Sequence, residues 1–381
     1  MKMNQHINKN SINRIFNYPL LIVVPVMISF IFVLYVFTED KEKSEWENRY
    51  LQLFPQLSIS SIEDGTFMRE FDDYAADQMP FRDLFVKIKA VCEMTILKIE
   101  NNGIVKGDNS QLFTKHTEDA KIFKKNAKTI EQYLSILSAE GRDVTVAIAP
   151  TATCILTDKI PLGMPNIEQN VEISEFNNDI SLLRNVNVID LTKGLKEHSG
   201  EYIYYRTDHH WTTSGAYIAY SEISKNPVSI KELKKIDVDN FYGTLYAKYK
   251  GEGVKGDTLE YYDIPIDSLE FDNEKKDILY DMTKIDVFDK YGLFLFGNKG
   301  KSVIKSHKAS NGKKLVVFKD SYANSLVPFL TYDYDEIILV DLRYFAGSVD
   351  ELLNENSDAE IMFLYNFDFL NEDNHFYKLA L

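Results

Sequence analysis

The sequence predicts an α/β domain with a largely parallel sheet, set behind one apolar N-terminal segment, with a nucleophile-type site at the strand ends. Three observations predict it. From about residue 118 onward, short apolar runs closed by turn residues alternate with segments of helical period; that alternation builds layered α/β folds. Residues 18–37 carry no charge. Finally, Asp208-His209-His210-Trp211 is answered far downstream by Ser321, which follows an apolar run at 315–318.

The chain has 381 residues, enough for one large domain or two ordinary ones. A formal charge of -15 and a pI near 5.0 argue against nucleic acid as a partner, since no net positive field exists to hold phosphates. Cys92 and Cys154 are too few for a disulfide framework, and no C-x-x-C occurs. They are expected to be two buried thiols, a single disulfide between them being the alternative.

The N-terminal run YPLLIVVPVMISFIFVLYVF spans about 30 Å as a helix, the thickness of a bilayer core. Lys2, Lys9 and Arg14 precede it, whereas Glu39, Asp40 and Glu42 follow. The positive-inside rule then predicts a single-pass anchor in the cell membrane, residues 1–17 cytoplasmic and everything past the span outside. A cleaved signal peptide is the competing reading, but the run is long for one and no small-x-small site follows. Pro25 is tolerated in a membrane helix.

Residues 38–110 are expected to form a juxtamembrane stalk and helical region. The charged stretch at 41–60 includes Trp46-Glu47-Asn48-Arg49, and the spacing at 62–98 is helical with a break at Pro80. Gly103, Gly107 and Asn109 mark turns. The catalytic domain is expected over 111–381. Its first helix ends at Gly141 as a C-cap would, and the apolar run at 144–149 suits a parallel strand buried on both faces. A helical segment at 172–184 leads to a strand at 186–190, and the residues after Trp211 read as helix through Ser224. Further strands fall at 315–318, 336–340 and 360–365. The stretch at about 228–310 has weak periodicity and reads as an insertion of irregular or antiparallel structure, part of a substrate surface.

Ligands sit beyond the carboxyl ends of strands in open parallel sheets. Thr151, Ser321 and Arg343 occupy such places. A serine hydroxyl needs a base oriented by a carboxylate, and Asp208 and His210 supply both. One residue apart, they project to the same side of an extended segment, leaving His209 on the other. Each residue also has a plainer reading. Ser321 suits a helix N-cap, the histidines a polar loop, Trp211 core packing, and Arg343 an ion pair with Asp341 or Asp320. A metal site is the chemical rival, with Asp237 and Asp239 as further ligands, but nothing upstream offers the acidic motifs that two-metal phosphoesterases need.

The run TDHHWTTSGAYIAY resembles the motif of the DHHW protein family of Gram-positive bacteria, related to SGNH-hydrolase-like O-acetyltransferases of alginate and cellulose modification. The resemblance extends to SEWENRYLQLFP, DGTFMREFDDYAADQMPFRD, VFKDSYANSLVPFL and VDLRYF, and so to most of the chain. It implies an SGNH-like parallel sheet flanked by helices, with Asp208 as triad acid, His210 as base and Ser321 as nucleophile. Here the serine sits in Lys319-Asp320-Ser321-Tyr322, where many relatives carry Gly-Asp-Ser or Gly-Thr-Ser. The Tyr322 N–H and the Asn324 side chain are the oxyanion candidates, with Arg343, His209, Trp211 and Thr151 as other substrate-binding candidates. The resemblance implies acetyl transfer through a serine ester to a polysaccharide hydroxyl, with no cofactor and no metal. The donor would be a multi-pass membrane acyltransferase. An esterase of the same fold, or a non-catalytic polysaccharide-binding subunit, are the alternatives.

Overall fold

The structure, a computed structural model, describes residues 18–44, 49–96, 98–116 and 120–379. The N-terminus expected at 1–17 and Trp46-Glu47-Asn48 of the stalk lie outside the described residues. Contacts divide the chain into two compact units, Met1–Cys92 and Glu93–Leu381.

In the first unit, helix α1 (Leu20–Phe37) is long and apolar enough to cross a membrane, and none of its residues is buried in the chain. Helices α2 (Ile59–Glu63), α3 (Thr66–Asp77) and α4 (Arg82–Thr95) follow, with the expected break at Pro80. Ser58 opens α2 with a capping box closed by Ser61. The segment after α1 is tied down on α3. Tyr74 packs edge-on against Tyr35 at 6.0 Å and donates its hydroxyl to Asp40. Gln78 bonds the backbone of Lys41 in both directions.

In the second unit, five parallel strands form the sheet centre in the order β12 (Glu336–Val340), β11 (Lys314–Lys319), β13 (Glu360–Asn366), β4 (Val144–Ala149) and β5 (Val186–Ile189). All five fall on segments that the sequence reads as strands. Alternate residues serve opposite faces: Val316, Phe318, Val146 and Ile148 pack under α5 (Lys121–Ala139) and α6 (Gln169–Ile180). Val317, Leu315 and Ala147 face the layer holding α7 (Leu191–Glu197), α8 (Thr213–Ile223) and the Asp-His-His-Trp stretch. Gly141 follows the end of α5 with φ 76°, the left-handed conformation a glycine takes without steric cost.

The segment at 228–310 is antiparallel, but it is no detached surface. Strands β6 (Lys235–Phe241) and β7 (Asp257–Tyr262) form a hairpin with α9 (Thr244–Tyr249) between them. Strands β8 (Ser268–Phe271), β9 (Glu274–Lys276) and β10 (Lys301–Lys305) extend the main sheet past β12. The unit boundary also falls earlier than 110. The small sheet of β1 (Glu100–Asn101), β2 (Ile104–Lys106) and β3 (Leu112–Thr114) belongs to the second unit. The side chains of Asn101 and Asn102 donate to the carbonyls of Tyr249 and Lys248, and Leu112 N–H donates to Arg206. Those partners are more than 90 residues away, beyond any local pattern. Both cysteines are free, as expected, but only Cys154 is buried; Cys92 is exposed on α4.

Candidate active site

Strand β11 is central, and the chain leaves it through Asp320, whose side chain accepts from the N–H of Tyr322 at 2.8 Å and of Asn366 at 2.6 Å. This clamp ties the strand exit to the neighbouring β13 and starts a 3₁₀ turn, Ser321–Ser325, with Ser321 at its first position. The Asp-His-His-Trp stretch is a tight turn closed by pairing of Tyr204 with Trp211 and by Tyr205 N–H to His210 O. Trp211 Nε1–H donates to Tyr322 O and to Ser325 Oγ, both at 3.0 Å. Its buried ring is therefore core packing, as the plainer reading had it, and also the tie that holds the histidine turn to the serine turn.

The three residues meet. His210 Nε2 lies 2.8 Å from Ser321 Oγ, and His210 Nδ1 lies 2.5 Å from Asp208 Oδ1. The carboxylate is saturated. Oδ1 also accepts from His210 N–H at 3.0 Å, and Oδ2 accepts from Thr244 N–H at 2.8 Å and Thr244 Oγ1 at 3.1 Å. Burial alone would raise the pKa of Asp208, but the His209 and His210 imidazoles and the Thr244 N–H together hold it well below the usual carboxylate range. The base is clamped between rings. Tyr291 stacks on His210 at 3.7 Å and 8°, and its hydroxyl donates to Ser321 O at 3.0 Å.

His209 departs from expectation. It does not point away: its ring lies 3.8 Å from that of His210, because the segment is a turn and not an extended strand. Its Nδ1 meets Thr244 Oγ1 at 2.7 Å; as that hydroxyl donates to Asp208, it accepts from His209, which assigns the proton to Nδ1. The enclosing protein and the adjacent His210 push His209 down to about 4, a shift tempered by the 38% of its side chain open to solvent. Asp208, His209 and His210 bring ligand-type atoms within 4.8 Å of one another. Asp208 and His210 are committed to the bonds just described, so a cation there would have to break them. Asp237 and Asp239 instead bond their hairpin neighbours Lys235 and Thr258.

The oxyanion candidates need correction. The Tyr322 N–H is consumed by Asp320, and the Tyr322 hydroxyl donates to His209 O behind the histidines. Asn324 is buried, its Oδ1 accepting from Lys319 Nζ at 2.6 Å and its Nδ2 donating to Asn298 at 3.1 Å. The N–H of Ser321 itself donates to no acceptor among the described residues, which leaves it a free donor beside the Ser321 hydroxyl. Arg343 follows its plainer reading, gripping Asp341 through Nε at 2.9 Å and a terminal nitrogen at 2.6 Å. Thr151 is held by Gln169 and Thr153 and lines a small crevice with His209, His116 and Asp368.

Thr244, Tyr291 and Gly243 escaped the sequence reading because they lie in the weakly periodic 228–310 segment, where only folding brings them to Asp208 and His210. A Cβ on Gly243 would sit 2.2 Å from both Cβ and Oδ2 of Asp208. Gly243→Ala must therefore displace the carboxylate or α9. The expected result is a roughly 10²-fold loss of kcat, as for a misplacement of about 1 Å, with a cost of about 1–3 kcal/mol from overpacking. Turnover and urea titration check both; wild-type kinetics would refute the contact.

Lys319 is the last residue of β11, directly before Asp320. It is buried, and burial pushes its ammonium down to about 8, although Asp341 pulls the other way. The folded chain thus holds this proton less tightly than the unfolded one, whose lysine titrates near 10.4. Below pH 8 the charge costs the fold up to about 3 kcal/mol, and this cost fades as pH rises from about 8 to about 10.5. Asp320, which burial raises to about 6, titrates below that window. Relative to Lys319→Met, the wild type is expected to gain about 1 kcal/mol between pH 7 and 9 in urea titrations. A gap that stays constant with pH would refute the depressed lysine.

The description "DHHW protein" belongs to the family model that matches residues 144–340. A DHHW family protein from Eubacterium siraeum, solved by crystallography, is 24% identical, with a TM-score of 0.62 over 74% of this chain and 96% of that one. Bacillus cereus PatB1 is 20% identical, with a TM-score of 0.58 over 72% of this chain and 98% of that one. A second PatB1 structure carries a sulfonyl adduct; it too is 20% identical, at a TM-score of 0.58 over 72% and 97% of the two chains. No curated protein matches the sequence. At these identities the likeness establishes a shared fold.

Proposed function

The chain belongs to the DHHW protein family, relatives of the SGNH-hydrolase-like polysaccharide O-acetyltransferases, and from that premise we propose that it is a membrane-anchored acetyltransferase working through Ser321 on a polysaccharide hydroxyl. One observation carries the reading. Asp208, His210 and Ser321 form an unbroken relay of 2.5 and 2.8 Å. In the first half-reaction Ser321 Oγ attacks the acyl carbonyl carbon while its proton passes to His210 Nε2. That proton leaves with the donor's heteroatom as its bond to the acyl carbon breaks. In the second, an acceptor hydroxyl gives its proton to His210 and attacks the ester, and Ser321 Oγ recovers the proton as its bond breaks. The developing oxyanion faces the Ser321 N–H. Asp208 holds the His210 tautomer and stabilises the imidazolium.

Helix α1 supports an anchor with the site outside the cell, where polysaccharide acceptors are. A multi-pass membrane acyltransferase would supply the acetyl group across the bilayer. The test uses the full chain in detergent with p-nitrophenyl acetate and oligosaccharide acceptors, followed by mass spectrometry. The expected result is an acetyl ester on Ser321 that discharges onto sugar. Discharge to water alone with every acceptor would make the protein an esterase, and the absence of any ester would remove the enzymatic reading. A sulfonyl adduct exists on PatB1; a sulfonyl fluoride is expected to mark Ser321 here and to stop turnover.

A further inference from the structure

The first unit leaves an apolar stripe uncovered. Phe81, Leu84, Phe85 and Ile88 follow a helical spacing of three, four and seven along the start of α4, and they are 57%, 52%, 41% and 48% exposed. Cys92 extends the same stripe one turn further and is also exposed. The opposite face of the helix is the one the chain buries, with Ala90 at its centre. Phe81 adds a second observation. Its φ is 60°, a left-handed conformation uncommon for a bulky side chain, and the strained residue is itself mostly exposed. Strain of that kind persists where the surroundings, or a function, require it.

The depth of this stripe can be read from α1. Leu34 lines one cavity with Met79, Phe81 and Arg82, and it lies three residues, about 4.5 Å, before the end of the span. The Tyr35–Tyr74 contact sets α3 at the same level. If α1 crosses the bilayer, the start of α4 is therefore at the height of its last turn, where acyl chains meet headgroups. We propose that the apolar stripe of α4 lies in the lipid surface, so that the first unit is an interfacial collar around the exit of the anchor. An amphipathic helix in that setting sinks about 5–10 Å into the headgroup boundary. Lipid is the occupant because the stripe meets α1 at Leu34, on a helix that is apolar throughout and has no buried residue. This inference rests on the reading of α1 as an anchor.

Depth-dependent quenching tests it on the full chain. Cys92→Ser removes the exposed thiol, while burial keeps Cys154 unreactive by pushing its thiol up to about 11. Single cysteines are then placed by Phe85→Cys, Ile28→Cys or Leu182→Cys and labelled with an environment-sensitive fluorophore. The proteins are reconstituted in vesicles of phosphatidylcholine and phosphatidylglycerol carrying shallow or deep doxyl lipids. All three sites are exposed, so folding is retained, which circular dichroism and esterase turnover check. The expected pattern is strong shallow quenching at 85, deep quenching at 28 and none at 182. Lipid at 28 but water at 85 would overturn the collar and leave the anchor standing. A label at 85 that is shielded but unquenched by either lipid would mean that protein covers the stripe, which also overturns it. No lipid at 28 would overturn the anchor reading, and the collar with it.

Discussion

Ser321→Ala is expected to lower turnover of p-nitrophenyl acetate by about 10⁴-fold or more, and to abolish the acetyl adduct. The hydroxyl lies 2.8 Å from His210 Nε2, where it can both lose its proton and hold an acyl group. Little else should change. Ser321 caps no helix, since Asp320 supplies the cap by accepting from Tyr322 N–H, and the backbone at Ser321 stays tied through Tyr291. The variant should therefore melt with the wild type. Folded protein that still turns over at more than a hundredth of the original rate would mean that another nucleophile acts.

Asp208→Asn should cost about as much, roughly 10⁴-fold in kcat, by a different route. Four donors converge on the carboxylate, two on each oxygen. A carboxamide accepts on one side only. With its oxygen toward Thr244, its NH₂ meets His210 Nδ1, which must then be an acceptor; the ring proton moves to Nε2 and the base can no longer take the proton of Ser321. With its oxygen toward His210, the NH₂ faces the Thr244 N–H, a donor clash worth about 1–3 kcal/mol. The clash disfavours the second arrangement, and the first, with the ring proton on Nε2, predicts a folded but nearly inactive protein. Retained activity, with an unchanged fluorescence melt, would show that Asp208 is dispensable to the relay. Because the carboxyl is held so far below its ordinary range, wild-type activity should not fall through protonation of Asp208 anywhere above pH 4.

Much of the scaffold was legible because its signals are local. A parallel strand buried on both faces must be apolar throughout, so the runs at 144–149, 315–318 and 360–365 announce themselves. A segment able to cross lipid must be uncharged, and residues 18–37 are. The triad was legible in part for the same reason: Asp208 and His210 are neighbours in sequence, and Ser321 follows a readable strand. The errors arose where a group's fate depends on a distant partner. The Tyr322 N–H looked available until Asp320 was seen to take it, and Arg343 looked available until it closed on Asp341.

The sequence by itself determined the layered α/β class, the apolar segment that forms α1, and the three residues proposed as acid, base and nucleophile. Tertiary structure alone decided that these three meet. It also decided which groups support them: Thr244 and the Cβ-free Gly243 at the carboxylate, Tyr291 across the imidazole, Trp211 between the two turns, and the buried Lys319 at the end of β11. The physical reason is range. Periodicity records whether a residue faces a core, a property of its own few neighbours, whereas a hydrogen bond or ring contact across 30 to 110 residues leaves no periodic trace in either segment.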